Sequence, residues 1–167
     1  MDTIWKDALW GQFGAAIDML ENAIAACPDD LWSDRSREPV FWYVAFHTLF
    51  WLDLYLYGQK EGFTPLEPFG LEELDPARTK PERPYTKDEL LDYLRRSRET
   101  CRTITGALDD EKAHRPCRFG KGEIPYLERL IYGLRHVQHH TGQLNLLLRQ
   151  QTNSAPGWVA RAAMLHS

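Results

Sequence analysis

The chain has 167 residues, within the usual size of one domain, and its six Trp, seven Tyr and seven Phe supply enough aromatic bulk for a packed core, which excludes a disordered chain. A net charge of −4 leaves no general basic face to displace counterions from phosphates, so a nucleic-acid partner is not expected. No run of about 18 apolar residues appears, so no membrane-spanning helix is expected either.

The N-terminal stretch "MDTIWKDALWGQF" has an early Asp and a broken apolar pattern, unlike a secretory signal. It opens the first helical segment, Asp2 to Ala26, where Ile4, Leu9, Phe13, Ile17, Leu20 and Ile24 recur at helical steps. Pro28 cannot continue that helix. The second segment starts after Pro39, a residue favoured in a first turn, and ends at Gly58. Its sequence "PVFWYVAFHTLFWLDLYLYG" is the most apolar of the chain and carries one His and one Asp, which suits a helix buried on most sides.

A long connection, Gln59 to Tyr85, follows and contains five prolines. The third segment begins at Thr86, whose hydroxyl and the carboxylate of Glu89 have capping-box spacing, and fades near "TGALDDE". Its basic run "YLRRSRETCR" (Tyr93–Arg102) points several ways around a helix and reads as a solvated face. The fourth segment runs from about Ile124, with Pro125 in its first turn, to about Gln151. A short fifth helix is expected after Pro156. No period-two alternation calls for strands, and "RFGKGEIP" reads as a turn. The expected fold is an all-α four-helix bundle, two hairpins joined by a long crossover after helix 2, with a short C-terminal helix, in a single domain over residues 1–167. Cys27, Cys101 and Cys117 are odd in number and form no C-x-x-C pair, which fits a reducing cytoplasm.

The chemistry-bearing stretch is "HVQHHTGQL", His136 to Leu144. Residues four apart on a helix are neighbours, so His136 and His140 can reach one ion. His139 lies about 100° around the helix from His140 and falls on the flank. A zinc-like site takes at least three protein ligands. The natural third is His47, in the middle of the most apolar helix. A core histidine bonded to a carbonyl or tyrosine is the alternative for His47 taken alone. Three imidazoles converging inside a bundle would be costly without a cation, which favours the metal.

Other patterns fail. The H-E-x-x-H metalloproteases place a glutamate after the first His, and here that position is Val137. A di-iron bundle needs two E-x-x-H motifs, and only "EKAH" (Glu111–His114) occurs, in a polar turn where His114 reads as a surface residue. Cys27 and Cys101 read as small apolar fillers. No phosphate loop is present. Gln143, Tyr132 and Tyr43 are spaced to hydrogen-bond the ligating imidazoles, with a structural hydrogen bond the equal alternative for each, while Asp53 points away from His47.

The segments "FWYVAFHTLFWLDLYL" and "HVQHHTGQLNLLLRQ" resemble the DinB-like (DinB/YfiT) superfamily of metalloenzymes. That family has a His on the second helix and an H-x-x-x-H-x-G-Q pattern on a later one, here His47 and His136 to Gln143. The resemblance implies an up-down-down-up bundle holding a divalent metal, most often zinc or nickel with iron a further candidate, through His47, His136 and His140, with water completing the shell. It also implies homodimers, and a low-molecular-weight thiol as co-substrate in thiol S-transferases or a thiol-dependent isomerase. The sequence departs from the family at Thr141, where Arg or a similar polar residue is frequent; the ligand set is intact, but an anion-binding role at that position is in question. The leading reading is therefore a metal-dependent enzyme acting on a small molecule, a thiol S-transferase or a hydrolase. A non-catalytic metal-binding or dimerisation bundle is the alternative.

Overall fold

Each apolar repeat in the sequence becomes a helix because its side chains fall on one stripe that another stripe can cover. The computed structural model describes residues 3–36, 38–77 and 80–163. In chain order the elements are α1 (Thr3–Ala26), the single turn α2 (Asp29–Trp32), α3 (Phe41–Tyr57), a 3₁₀ turn at Glu72–Leu74, α4 (Lys87–Gly106), the short α5 (Asp110–His114), strands β1 (Pro116–Phe119) and β2 (Gly122–Pro125), and α6 (Tyr126–Thr152). The expected first residue of α1, Asp2, lies outside the described residues.

The four long helices have buried faces of different widths. On α4 the buried residues are Leu90, Tyr93, Leu94, Ser97, Cys101 and Thr105, a single stripe of an otherwise charged helix. On α6 they include Tyr126, Leu130, Gly133, Val137, Thr141, Leu144 and Leu148, at three- and four-residue steps. α3 is buried around most of its circumference, as its composition predicts. Thr86 caps α4 as expected, its hydroxyl accepting from the Glu89 amide while the Glu89 carboxylate accepts from the Thr86 amide. Gly58 ends α3 at φ 99°, a left-handed conformation that a Cβ would strain.

Around the bundle, α1 packs on α4 and α6, and α3 packs on the same two. This corrects the expectation of two hairpins. Helices consecutive in sequence, α1 with α3 and α4 with α6, face each other across the core instead of lying side by side. The 14-residue connection that holds α2 and the connection that holds α5 and the strands are long enough to step across a diagonal. The long crossover after α3 is present, and it is fastened. Phe63, Phe69 and Tyr85 are buried in the core, and Phe69 stacks on Tyr93 of α4 at 4.4 Å between centroids. The Trp32 indole donates to the Tyr85 carbonyl at 2.9 Å.

Two further corrections concern local structure. The stretch "RFGKGEIP" is not a bare turn. Cys117 pairs with Ile124 and Arg118 with Glu123 in a two-stranded antiparallel hairpin. Gly120 has φ 59° at the first position of its two-residue connection, the hairpin-turn geometry that glycine adopts without strain. Second, no helix forms after Pro156 among the described residues. Asn153, at φ 55°, closes α6, and the chain then runs without regular structure along α1. The Ala162 amide donates to the Gly11 carbonyl at 2.9 Å, and the Trp10 indole donates to the Ala163 carbonyl at 2.7 Å. Partners on α1 thus replace the internal hydrogen bonds that a helix containing Pro156 and Gly157 would form poorly. Residues 164–167, into which the expected helix would have run, lie outside the described residues.

Among the described residues no helix is long and apolar enough to cross a membrane. Cys27, Cys101 and Cys117 are all unpaired and buried.

Candidate metal centre

The packing of α3 against α6 decides where the histidines go. His47 lies on α3; His136 and His140 lie one turn apart on α6, at the edge of its buried stripe. The structure brings the three together. One ring nitrogen from each lies within 4.8 Å of those of the other two. Ring centroids are 5.3 Å apart for His47 and His136, 4.7 Å for His47 and His140, and 4.5 Å for His136 and His140.

The cluster sits at the rim of the bundle, not in its centre. The His47 side chain is 29% exposed, so a histidine expected to be buried in the bundle is only partly buried. Two clefts reach the cluster. One, of about 730 Å³, is lined by His47, Tyr43, Trp51 and the acidic residues of the 3₁₀ turn. The other, of about 580 Å³, is lined by His136, His139, His140 and Tyr132.

Each imidazole is oriented by a partner. His47 Nδ1 donates to Glu73 Oε2 at 2.7 Å, and the Trp51 indole donates to the same oxygen at 2.8 Å. Burial pushes the Glu73 carboxyl up, but bonds and charge from His47, with further bonds from Tyr43 and Trp51, outweigh it and hold the carboxyl below its ordinary value. Glu73 is therefore an ionised anchor for His47 rather than a poised proton acceptor. On α6, His140 Nδ1 donates to Gln143 Oε1 at 2.7 Å, and Gln143 Nε2 lies 3.3 Å from His139 Nε2. With both Nδ1 atoms engaged, His47 and His140 present Nε2 as a lone-pair donor.

His136 carries the clearest signature. Its Nε2 is buried and has no hydrogen-bond partner. Burial pushes its pKa down to about 3, helped by repulsion from His140, His47 and His139 and opposed by a backbone hydrogen bond at His47. Burial also lowers His140, with the Gln143 bond pulling the other way. A buried nitrogen without a partner is uncommon, and here it is a neutral lone pair beside two more. Three imidazoles that converge with one ring nitrogen each are the donor set that a divalent ion of the zinc type takes, and the residues fit it.

The other expectations divide. Gln143 does orient His140. Tyr43 and Tyr132 do not orient ligands as expected: Tyr43 bonds Glu73, and Tyr132 packs on Tyr55 with centroids 5.2 Å apart. Asp53 turns to α4, where the Tyr93 hydroxyl donates to it at 2.9 Å. His114 is exposed and bonds only the carbonyl of Asp110. Thr141 is fully buried, so it does not face either cleft. Glu73 was missed in the sequence, because it lies in the proline-rich crossover, where no periodicity assigns it a face. Burial pushes the thiols of Cys27 and Cys101 up to about 12, which leaves both protonated and unreactive.

No curated protein matches the chain. The DinB superfamily profile matches residues 12–144, a span that includes all three clustered histidines. Coverage of that extent, on a four-helix bundle with its histidines gathered between α3 and α6, decides the relationship: the chain belongs to the DinB superfamily.

Proposed function

We propose that this protein is a divalent-metal-dependent enzyme acting on a small molecule, with His47, His136 and His140 as the protein ligands and zinc or nickel as the ion. The observation that carries the reading is the orphaned Nε2 of His136 facing two imidazoles whose opposite nitrogens are already anchored. Three protein ligands leave coordination positions open, and two clefts lined by the histidines give a substrate access. When bound, the ion supplies Lewis acidity that makes a thiol or water nucleophilic near neutral pH. The chain's own part is positional. Glu73 holds His47 in its tautomer and adds negative charge behind it, Gln143 does the same for His140 without charge, and Trp51 and Tyr55 wall the site with rings.

A low-molecular-weight thiol is the proposed co-substrate, giving a thiol S-transferase. Cys27 and Cys101 are held protonated, so thiol chemistry at this site would take its sulfur from solution. The working form in this reading is a cytoplasmic homodimer, with the exposed Trp5 beside an apolar groove as the surface for a second copy.

Elemental analysis of the purified protein, paired with a screen of electrophiles against several biological thiols, tests the proposal. Stoichiometric metal that disappears in His47→Ala and His140→Ala, together with thiol conjugation that needs the metal, is expected. Full metal content in either variant would refute the ligand set. Metal binding without turnover of any thiol would leave a non-catalytic bundle. Metal-dependent ester hydrolysis without thiol transfer would make the protein a hydrolase.

A further inference from the structure

Beside the histidine cluster lies a third cavity, of about 480 Å³, lined by Trp51, Tyr55, Phe119, Lys60, Arg118 and Arg129 together with Leu54, Glu61 and Gly120. Its volume is that of a small-molecule site. It shares the Trp51 and Tyr55 rings with the metal centre: the Tyr55 ring lies 5.6 Å from the His136 ring, and the Arg129 guanidinium lies 5.5 Å from the centre of the same Tyr55 ring. One aromatic ring is thus neighbour to both the cation and a candidate ligand.

Arg129 is the anomaly of the fold. It is only 3% exposed. Its Nη1 donates to the Arg118 carbonyl at 2.6 Å, yet its Nε has no hydrogen-bond partner. No carboxylate pairs with it among the described residues, and burial depresses its pKa, with only neighbouring Cys117, Tyr55 and Tyr126 acting to raise it. A buried charge without a counter-charge is expensive, and chains keep one where a partner arrives from outside. Lys60 and Arg118 add two more cations to the same cavity, against the single acid Glu61, which sits 3.8 Å from Arg118. The remaining walls are aromatic and aliphatic. Cations at one end and rings along the sides suit a small organic carboxylate with an apolar or aromatic body, and a guanidinium edge matches a carboxylate in two-point geometry.

We infer that Arg129, with Lys60 and Arg118, forms an anion subsite that holds the carboxylate of the small-molecule substrate while its body reaches past Tyr55 toward the three-histidine centre. This extends the functional reading above and rests on it for the direction in which the substrate points. It also places the anion contact on α6, the hairpin and the start of the crossover, away from the buried Thr141. The alternative is that Arg129 only pins the hairpin through the Arg118 carbonyl.

Calorimetric titration of the zinc-loaded full-length protein with benzoate, its neutral isostere benzamide, and inorganic phosphate tests the assignment. Benzoate should bind, weaken as salt rises, and outcompete phosphate, while benzamide should not bind. Arg129→Met should weaken benzoate about tenfold or more, the effect of losing a charged hydrogen-bond pair. Because Arg129→Met could disturb the hairpin, Lys60→Gln and Arg118→Gln provide a second measure; both side chains are exposed, and the Arg118 carbonyl is retained. Each should weaken benzoate severalfold with an unchanged circular dichroism spectrum. Equal binding of benzamide, tighter binding of phosphate, or unchanged benzoate affinity in all three variants would overturn the subsite. So would binding that survives Arg129→Met but vanishes without zinc, since the carboxylate would then sit on the ion. Zinc affinity measured in the same samples separates the two claims: failure to bind zinc refutes the metal centre alone, while benzoate binding reports on Arg129.

Discussion

At the scale of single residues, the centre works by division of labour between ring nitrogens. One nitrogen of each histidine is spent on the protein so that the other is fixed in place and in tautomer. Glu73 is the most consequential of these partners, since it is ionised and serves both His47 and Trp51. Glu73→Gln keeps the side-chain volume and removes the charge; metal affinity should fall about 10- to 100-fold, as for other partners of ligating residues, in competition titrations with a chelator. His136 governs acid behaviour. Its pKa is about 3 when folded and near 6.5 when unfolded, so the unfolded chain takes up a proton the folded one refuses. Stability of the metal-free protein should therefore be complete above about pH 6.5 and decline as pH falls toward 3. His136→Gln should flatten that slope in denaturation series across the window. The histidine trio was legible in the sequence because helical spacing converts a four-residue step into a shared face. Glu73 and Arg129 were not legible, the first because loop residues carry no such rule and the second because one Arg on a helix reads as surface until its neighbours are known.

At the scale of elements, the bundle is closed by pieces that have little structure of their own. The C-terminal strap lies on α1 where α1 is small: Gly11 and Gly14 face it, and a Cβ built on Gly14 would come within 2.6 Å of the Ala162 Cβ. Gly14→Val should displace the strap at a cost of about 1–3 kcal/mol, the usual penalty of overpacking, and limited proteolysis should then cut beyond Asn153 faster than in the parent protein. The helix predicted after Pro156 failed because its residues find hydrogen-bond partners on α1, a tertiary effect that local pattern does not contain. The hairpin escaped for the opposite reason. Its strands are four residues each and bracketed by Pro116 and Pro125, too short for alternation to register, and the cue that remained was the glycine at the start of its two-residue connection.

At the scale of the whole molecule, four helices and a long crossover were readable from apolar periodicity, a capping box and a cluster of prolines. The order of the helices around the core was not, because loop length permits a diagonal step as readily as a hairpin. That order matters for the site. α3 and α6 are neighbours in space but separated in sequence by the crossover and α4, so an ion shared by His47, His136 and His140 ties together parts of the chain that meet only in the native fold. Binding to the folded state alone should raise stability by about 2.7 kcal/mol at a free metal concentration of 100 times Kd. Thermal melts should move upward with added zinc or nickel and return on chelation, and His140→Ala should abolish the shift.

The oxygen of Glu73 that receives His47 also receives Trp51, and this makes the site optically addressable. An ion drawing electron density from His47 strengthens that histidine's claim on the shared oxygen and loosens the indole's. The emission of Trp51 should therefore change in colour and intensity as metal loads, over a constant background from the chain's other tryptophans, and Trp51→Phe should silence the change while leaving the ion bound. The protein thus carries a fluorescent gauge of its own metal occupancy, readable in a cuvette without any substrate.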